Sequence, residues 1–419
     1  MIAVLINAYA CGPDMGSEPG MAWNWIINLA KYCKVYVITE GEWKNEIEAA
    51  VVKLPQSKNI RFYYNPVTER IRAMCWNQGD WRFYYYYRRW QRKTLEIARN
   101  VIAENHVDLI HHLNIIGFRE PGYLWKLENK PFIWGPVDAK VHFPVNYLKG
   151  ANIKTIIIIL LKNILNSLQL RGSLRVIKAI HRSEFIVSAS SESFMTFKKY
   201  FHFNSVLMNE TGCYANNQPV LSDNYSDNFN ILWIGKFAFR KQLELALKSI
   251  AELDYPDLRL HILGDVQNPE GENYKALAMR LHIDNKCIWY GIVPHEKVQE
   301  IMRKSNLLLF TSVAEGTPHV VLEAIENNLP ILCFNTCGQG DSVDNKVGMK
   351  IELSNPNQSI KDFAEKIRYL YNNREILLDF SKNCLLRQQE LSWNVKTQKM
   401  ADLYTKAIDN FNASHKIIA

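Results

Sequence analysis

Residues 1–8 form an almost unbroken apolar run, followed closely by Gly12, Pro13, Gly16, Pro19 and Gly20. A short apolar run closed by turn formers predicts a buried strand. A helical pattern follows over residues 21–32 and a second strand-like run over 35–39. Strand, glycine-rich loop, helix, strand is the opening of a doubly wound α/β domain. Short apolar runs at 109–112, 132–134 and 185–188, separated by helix-like stretches, continue it. The polar segment 216–230, rich in Asn, Ser and Asp, breaks the pattern and reads as a linker. The alternation then restarts, with strands expected at 230–234, 259–263, 287–290, 307–310 and 330–333. Helical patterns at 243–253, 274–281, 295–304 and 318–328 lie between or beside them, and another runs from 361 to about 411. The expected architecture is α/β: two Rossmann-like domains facing across a cleft. Their expected limits are 1–214 and 215–395, with 396–419 packing back on the first.

Composition agrees and adds little. A chain of 419 residues exceeds one ordinary core, and 47% hydrophobic with 22% charged residues excludes a disordered class. The net charge of +8 is unevenly placed. Between Arg70 and Lys93, arginines alternate with Trp76, Trp81, Tyr84 to Tyr87 and Trp90. Such a mixture suits peripheral contact with an anionic membrane or a phosphate-bearing substrate, or equally a solvated helix face beside a buried aromatic one. No nucleic-acid-binding motif accompanies it. The run 155–161, between Lys154 and Lys162, is too short to span a bilayer; it can lie on a membrane surface, but reads first as an amphipathic core helix. The first residues lack the basic region and the cleavage site of a signal peptide. A cytoplasmic location follows as the expectation, with any membrane contact at the inner face. The eight cysteines show no paired spacing for zinc or redox chemistry and read as reduced thiols.

The strongest chemical signal is Glu315-Gly316-Thr317-Pro318-His319-Val320-Val321-Leu322-Glu323. Pro318 suits a first helical turn, whose unpaired N–H groups bind anions such as a diphosphate. Glu323, about one turn further in, can accept from two ribose hydroxyls, and Glu315 sits at the loop tip. Taken alone, two such glutamates are commonly a dipole-favoured residue and a surface one. Gly235-Lys236 and Lys241, after the strand at 230–234, place two cations where α/β sheets bind ligands. His111 and His112 end a strand, so alternation sends them to opposite faces. His319 is a further candidate or a plain wall residue.

In combination these elements resemble glycosyltransferase family 4, of GT-B fold, over essentially the whole chain. The paired glutamates match that family's motif, and Lys236 with Lys241 matches its phosphate clamp. Tyr9-Ala10-Cys11-Gly12-Pro13 with Gly16-Ser17-Glu18-Pro19-Gly20, the run from His111 to Gly122, and Trp134-Gly135-Pro136 resemble a bacterial surface-polysaccharide subgroup. The resemblance implies retaining transfer of a hexosyl group from a nucleotide-diphosphate sugar, UDP by family frequency, with no metal or other cofactor required. It implies a glycan or lipid-linked acceptor. By it, Glu315 contacts the donor sugar, Glu323 the ribose, and Lys236 and Lys241 the diphosphate. Gly316, Thr317, His319 and Val320 line the donor, and Gly16, Ser17 and Gly20 approach it from the other domain. His111, favoured over His112, is the catalytic histidine near the acceptor, with a satisfied buried histidine as the competing reading. Gly264 and the run Gly291-Ile292-Val293 are expected near the base. Three positions depart from the pattern: Lys236 for the commoner Arg, Gln242 for a Gly, and Asp138-Ala139 for Gly-Gly. The competing readings are a sugar epimerase or phosphorylase on the same fold, and a non-catalytic nucleotide-sugar-binding module.

Overall fold

The computed structural model describes residues 1–77, 80–139, 142–215 and 228–416. Most of the expected linker, 216–227, lies outside them, as do residues 78 and 79 of the basic aromatic stretch. The chain divides into two compact units. The first comprises Met1–Val141, Leu165–Thr211 and Trp393–Ala419; the second comprises His142–Ile164 and Gly212–Ser392.

The first unit carries a seven-stranded sheet. Its strands are β1 (Ala3–Ala8), β2 (Lys34–Thr39), β3 (Ile60–Tyr64), β4 (Leu109–Asn114), β5 (Phe132–Val137), β6 (Phe185–Ser188) and β7 (Val206–Leu207). Their order is β3-β2-β1-β4-β5-β6-β7, and every pairing is parallel. All six residues of β1 and of β4 are buried, as a sheet covered on both faces requires. Val4, Ile6 and Ala8 pack with the helices Ser17–Leu29 and Trp393–Lys416, whereas Ala3 and Leu5 pack with Ala98 and Val101 of the helix Arg82–Glu104. Trp25 and Trp393 meet edge to face, ring centroids 5.5 Å apart, and Met400, Leu403, Tyr404 and Ala407 extend that contact.

The second unit holds a six-stranded sheet: β8 (Phe229–Ile234), β9 (Leu258–Leu263), β10 (Cys287–Gly291), β11 (Leu307–Phe310), β12 (Ile331–Phe334) and β13 (Gly348–Ile351). The order is β10-β9-β8-β11-β12-β13, again all parallel. Strand order reverses between β1 and β4 in one sheet and between β8 and β11 in the other. The carboxyl ends of such neighbours are where open α/β sheets bind ligands. The α/β fold with two parallel sheets is thus present as expected. Strands β3, β7 and β13, all at sheet edges, were not expected from the sequence; β3 and β7 bury no residue and β13 only its two end residues.

Two local expectations need correction. The first helix begins at Ser17, not near residue 21, because Pro19 falls in the first turn, where its missing N–H costs nothing. The apolar run at 155–161 belongs to a twenty-residue helix, Ile153–Gly172, long and apolar enough to cross a membrane by length and composition alone. It is not a core helix: only about 11% of its most apolar window is buried. In the basic aromatic stretch, Phe83, Tyr87 and Trp90 are buried around Tyr9, and three arginines are paired: Arg72 with Glu40, Arg82 with Asp80 and Arg88 with Glu120. The eight cysteines are free thiols, six of them buried.

Candidate functional site

In the second unit the loops leaving β8 and β11 are lashed together at the reversal point. Thr311 Oγ1 donates to the Lys241 carbonyl at 2.8 Å and accepts from Trp233 Nε1 at 3.0 Å. Val313 N–H donates to the Arg240 carbonyl at 3.0 Å, and Arg240 Nη1 donates to the Ala314 carbonyl at 2.9 Å. Residues 239–241 form a single tight turn, and Gln242 ends it in the left-handed region at φ +53°. Gln242 holds that conformation while its own amide donates to the Phe239 carbonyl at 2.9 Å.

This stitching brings Glu315 onto the cations. Lys241 Nζ lies 2.6 Å from Glu315 Oε1, Arg240 pairs with the same oxygen, and Ser312 Oγ donates to it at 2.5 Å. Both side chains of the Lys241–Glu315 pair are largely buried, and the ammonium also lies 5.1 Å from the Phe310 ring centroid. Burial alone would raise the Glu315 carboxyl, but Lys241 and Arg240 outweigh it and hold the group below its ordinary range. Burial pushes the Lys241 ammonium down, with Arg240 and Lys236 adding to that and Glu315 opposing it. The buried carboxylate faces two cations, more positive charge than it neutralises. Such a cluster has electrostatic capacity for a further anion. Lys236 is exposed on the approach to it.

The loop that carries Glu315 is fixed from behind. Glu315 N–H faces Cys337 Sγ at 3.3 Å, Gly338 N–H donates to the Gly316 carbonyl at 3.0 Å, and Gln339 Nε2 donates to the Ser312 carbonyl at 3.1 Å. A Cβ on Gly338 would lie 2.6 Å from Thr317 Cα and 2.7 Å from the Gly316 oxygen, so only glycine allows this approach. Pro318 stands just before the helix His319–Glu326, and Thr317 is buried while His319 and Val320 are half-buried. Burial lowers the His319 pKa and raises that of Glu323, which the nearby His295 partly pulls back. Gly264 N–H donates to the Gly291 carbonyl at 3.2 Å, joining the loop after β9 to the end of β10. Glu315, Lys241, Gly316 and Thr317 are therefore gathered at one point, with His319, Val320 and Glu323 on the adjoining helix. Sequence reasoning gave no role to Arg240, whose signal was its place beside Lys241, nor to Ser312 or the Cys337–Gly338 turn.

Glu326, one turn beyond Glu323, was also missed. It accepts from the Tyr214 N–H at 2.5 Å. Burial raises its carboxyl from the ordinary 4.5 to about 7, with Glu323 adding to the rise and the Tyr214 N–H opposing it. A raised carboxyl contributes stability below its unfolded pKa and loses that contribution as pH climbs through about 7. Between about pH 5 and pH 8 the wild-type protein should lose up to about 3 kcal/mol relative to Glu326→Gln, read by denaturant unfolding at both pH values. Equal pH dependence in the two proteins would remove this account.

In the first unit, Gly16 precedes the helix Ser17–Leu29 and Ser17 sits at φ +57°. Gly16 has open space around it, whereas a Cβ on Gly20 would lie 1.7 Å from the Met15 oxygen. The two glycines therefore answer to different constraints. Burial raises the Glu18 carboxyl to about 7, partly offset by the Ile116 N–H. The histidines do point opposite ways. His111 is fully buried, Nδ1 at 2.7 Å from Tyr404 Oη and Nε2 at 2.6 Å from the Gly135 carbonyl. His112 Nδ1 lies 3.0 Å from Asn7 Nδ2 on the other face. Burial pushes His111 down to about 4 and His112 to about 3, so both are neutral near pH 7.

Residues 218–385 match the family model described as glycosyl transferases group 1. The lipopolysaccharide 1,6-galactosyltransferase of Salmonella typhimurium is 31% identical over 137 residues, 32% of this chain and 37% of that protein. The chain aligns with less than half the length of the curated relatives it matches. Among solved structures, the sucrose-phosphate synthase of Thermosynechococcus elongatus superposes with a TM-score of 0.66 at 14% identity, covering 98% of this chain and all of that one. An Anabaena protein crystallised in complex with UDP superposes at 0.61 and 13% identity, covering 97% of this chain and all of that one. The fold is that of the GT-B glycosyltransferases.

Proposed function

We propose that this chain is a retaining, metal-independent glycosyltransferase that moves a hexosyl group from a nucleoside-diphosphate sugar to a glycan or lipid-linked acceptor in bacterial surface-polysaccharide assembly. The observation that carries the reading is the buried Glu315 carboxylate held by Lys241 and Arg240 at the strand-order reversal of the second unit. UDP is the proposed carrier, in line with the UDP bound by the Anabaena protein of like fold. A cytoplasmic location accompanies the proposal.

In this scheme Lys241, Arg240 and the exposed Lys236 hold the diphosphate and stabilise the charge that develops as it leaves. The positive end of the helix His319–Glu326 adds to that field. No divalent ion is then needed to offset the leaving group. Glu323 takes the ribose hydroxyls and Glu315 orients the sugar. For Gly16, Ser17 and Gly20 the assignment rests on the family resemblance. His111, with both ring nitrogens engaged inside its own unit, is assigned a positioning role: it ties β4 to the Gly135 carbonyl and to Tyr404.

The test is titration calorimetry with UDP and transfer kinetics, each with chelator present. Glu323→Ala should weaken UDP binding about tenfold. Glu315→Ala should leave UDP affinity unchanged or tightened, because Lys241 and Arg240 lose a competing carboxylate, while kcat falls about tenfold. Wild-type behaviour in both variants would reject these roles. Absence of binding by any nucleotide would favour a phosphorylated-sugar enzyme or a binding module instead.

A further inference from the structure

The helix Ile153–Gly172 is amphipathic with its faces reversed. Thr155, Ile156, Ile159, Asn163, Asn166 and Ser167 face the protein, whereas Ile157, Ile158, Leu160, Leu161, Ile164 and Leu168 are each more than 40% exposed. At about 100° per residue the exposed aliphatics fill an arc of roughly 160°. The polar side chains are the ones that anchor the helix. Asn163 accepts from the Phe143 N–H at 2.9 Å and donates to the Phe143 carbonyl at 3.0 Å, and Asn166 accepts from Arg119. A helix in water normally spends its asparagines on solvent and its leucines on the core. This one does the opposite from Ile157 to Leu168, and only near its end does Leu170 turn into the core.

Charge identifies what the exposed face meets. Between Asp138 and Glu184 the sequence holds eight Lys or Arg residues and no Asp or Glu; of the eight, Arg175 is paired with Glu120. On the helix itself, Lys154 and Arg171 stand near the two ends and Lys162 at the margin of the apolar arc. Long basic side chains in those places can reach phosphate headgroups while the aliphatics enter the acyl boundary. The asparagine bonds on the opposite face keep the helix seated on the protein, which suits lying in the interface and not crossing it. We infer that the apolar face of Ile153–Gly172 docks this protein on an anionic lipid bilayer. That surface is distinct from the basic aromatic stretch between Arg70 and Lys93, three of whose arginines are already paired with carboxylates.

The test is flotation of the full chain with phosphatidylcholine vesicles, with and without phosphatidylglycerol, alongside light scattering of the protein alone. Wild type should float with the phosphatidylglycerol vesicles, less so at high salt. The variant Ile157→Glu, Leu161→Glu, Ile164→Glu should lose at least about tenfold in partitioning. All three positions are exposed, so its melting temperature and UDP affinity should match wild type, which separates this result from any failure of the transferase reading. Failure of wild type to float would overturn the inference, as would undiminished flotation of the triple variant. A wild-type dimer that the triple variant dissociates, with neither protein floating, would overturn it in favour of a second copy of the chain.

Discussion

Lys241→Ala should lower transfer from a nucleoside-diphosphate sugar by about 10²–10³-fold, the loss expected when one fixed group stabilising transition-state charge is removed. Its ammonium is buried and lies 2.6 Å from Glu315, so the substitution acts twice. It deletes a phosphate ligand, and it leaves Arg240 to hold the Glu315 carboxylate alone. Lys241→Arg would keep the charge but bring a planar fork into a space shaped around a point charge beside the Phe310 ring, and should recover activity only in part. Steady-state kinetics with UDP binding measured in parallel check this. Near-wild-type turnover in Lys241→Ala would mean that the Lys241–Glu315 pair is architectural.

The second large effect is expected at a residue with no charge. Gly338→Ala puts a methyl group 2.6 Å from Thr317 Cα and 2.7 Å from the Gly316 oxygen. Both neighbours are backbone, so no side-chain rotation relieves the clash, and the loop bearing Glu315 must move. Overpacking of this kind costs about 1–3 kcal/mol of stability. Because the displaced segment carries the site, kcat/KM should fall about a hundredfold, since small misplacements of reacting groups cost that much. Gly340→Ala is the control, with its nearest neighbours at 3.2 Å. If both variants lose activity equally, the close approach at Gly338 is not what orders the loop.

Much of the second unit was legible because its signals are local. A strand running into Gly235-Lys236, and a Pro318-initiated helix between two glutamates, can each be read within ten residues. Alternation along β4 likewise separated His111 from His112. Three other features depend on partners distant in sequence. Nothing in Phe239-Arg240-Lys241 says that both cations turn onto Glu315; that follows from a tight turn ending at φ +53° on Gln242, stitched to residues 311–314. The Gly338 contact pairs residues some twenty positions apart through a turn that no motif marks. The helix Ile153–Gly172 misled most, because its isoleucines carry the signature of a core helix while its asparagines find the partners. Apolar content measures the tendency to leave water and not the destination.

Helix Trp393–Lys416 closes a core that begins at Val4, yet residues 212–392 of the other unit come between. On the ribosome, therefore, Trp25 and His111 wait for Trp393 and Tyr404 while the whole second sheet is synthesised. The first half of the polypeptide must persist as an open-sided intermediate during that interval, with an apolar seam along helix Ser17–Leu29. Chaperone demand in this protein should consequently fall on the segments of the first unit made before Trp393, and helix Trp393–Lys416 should act as the latch that ends it.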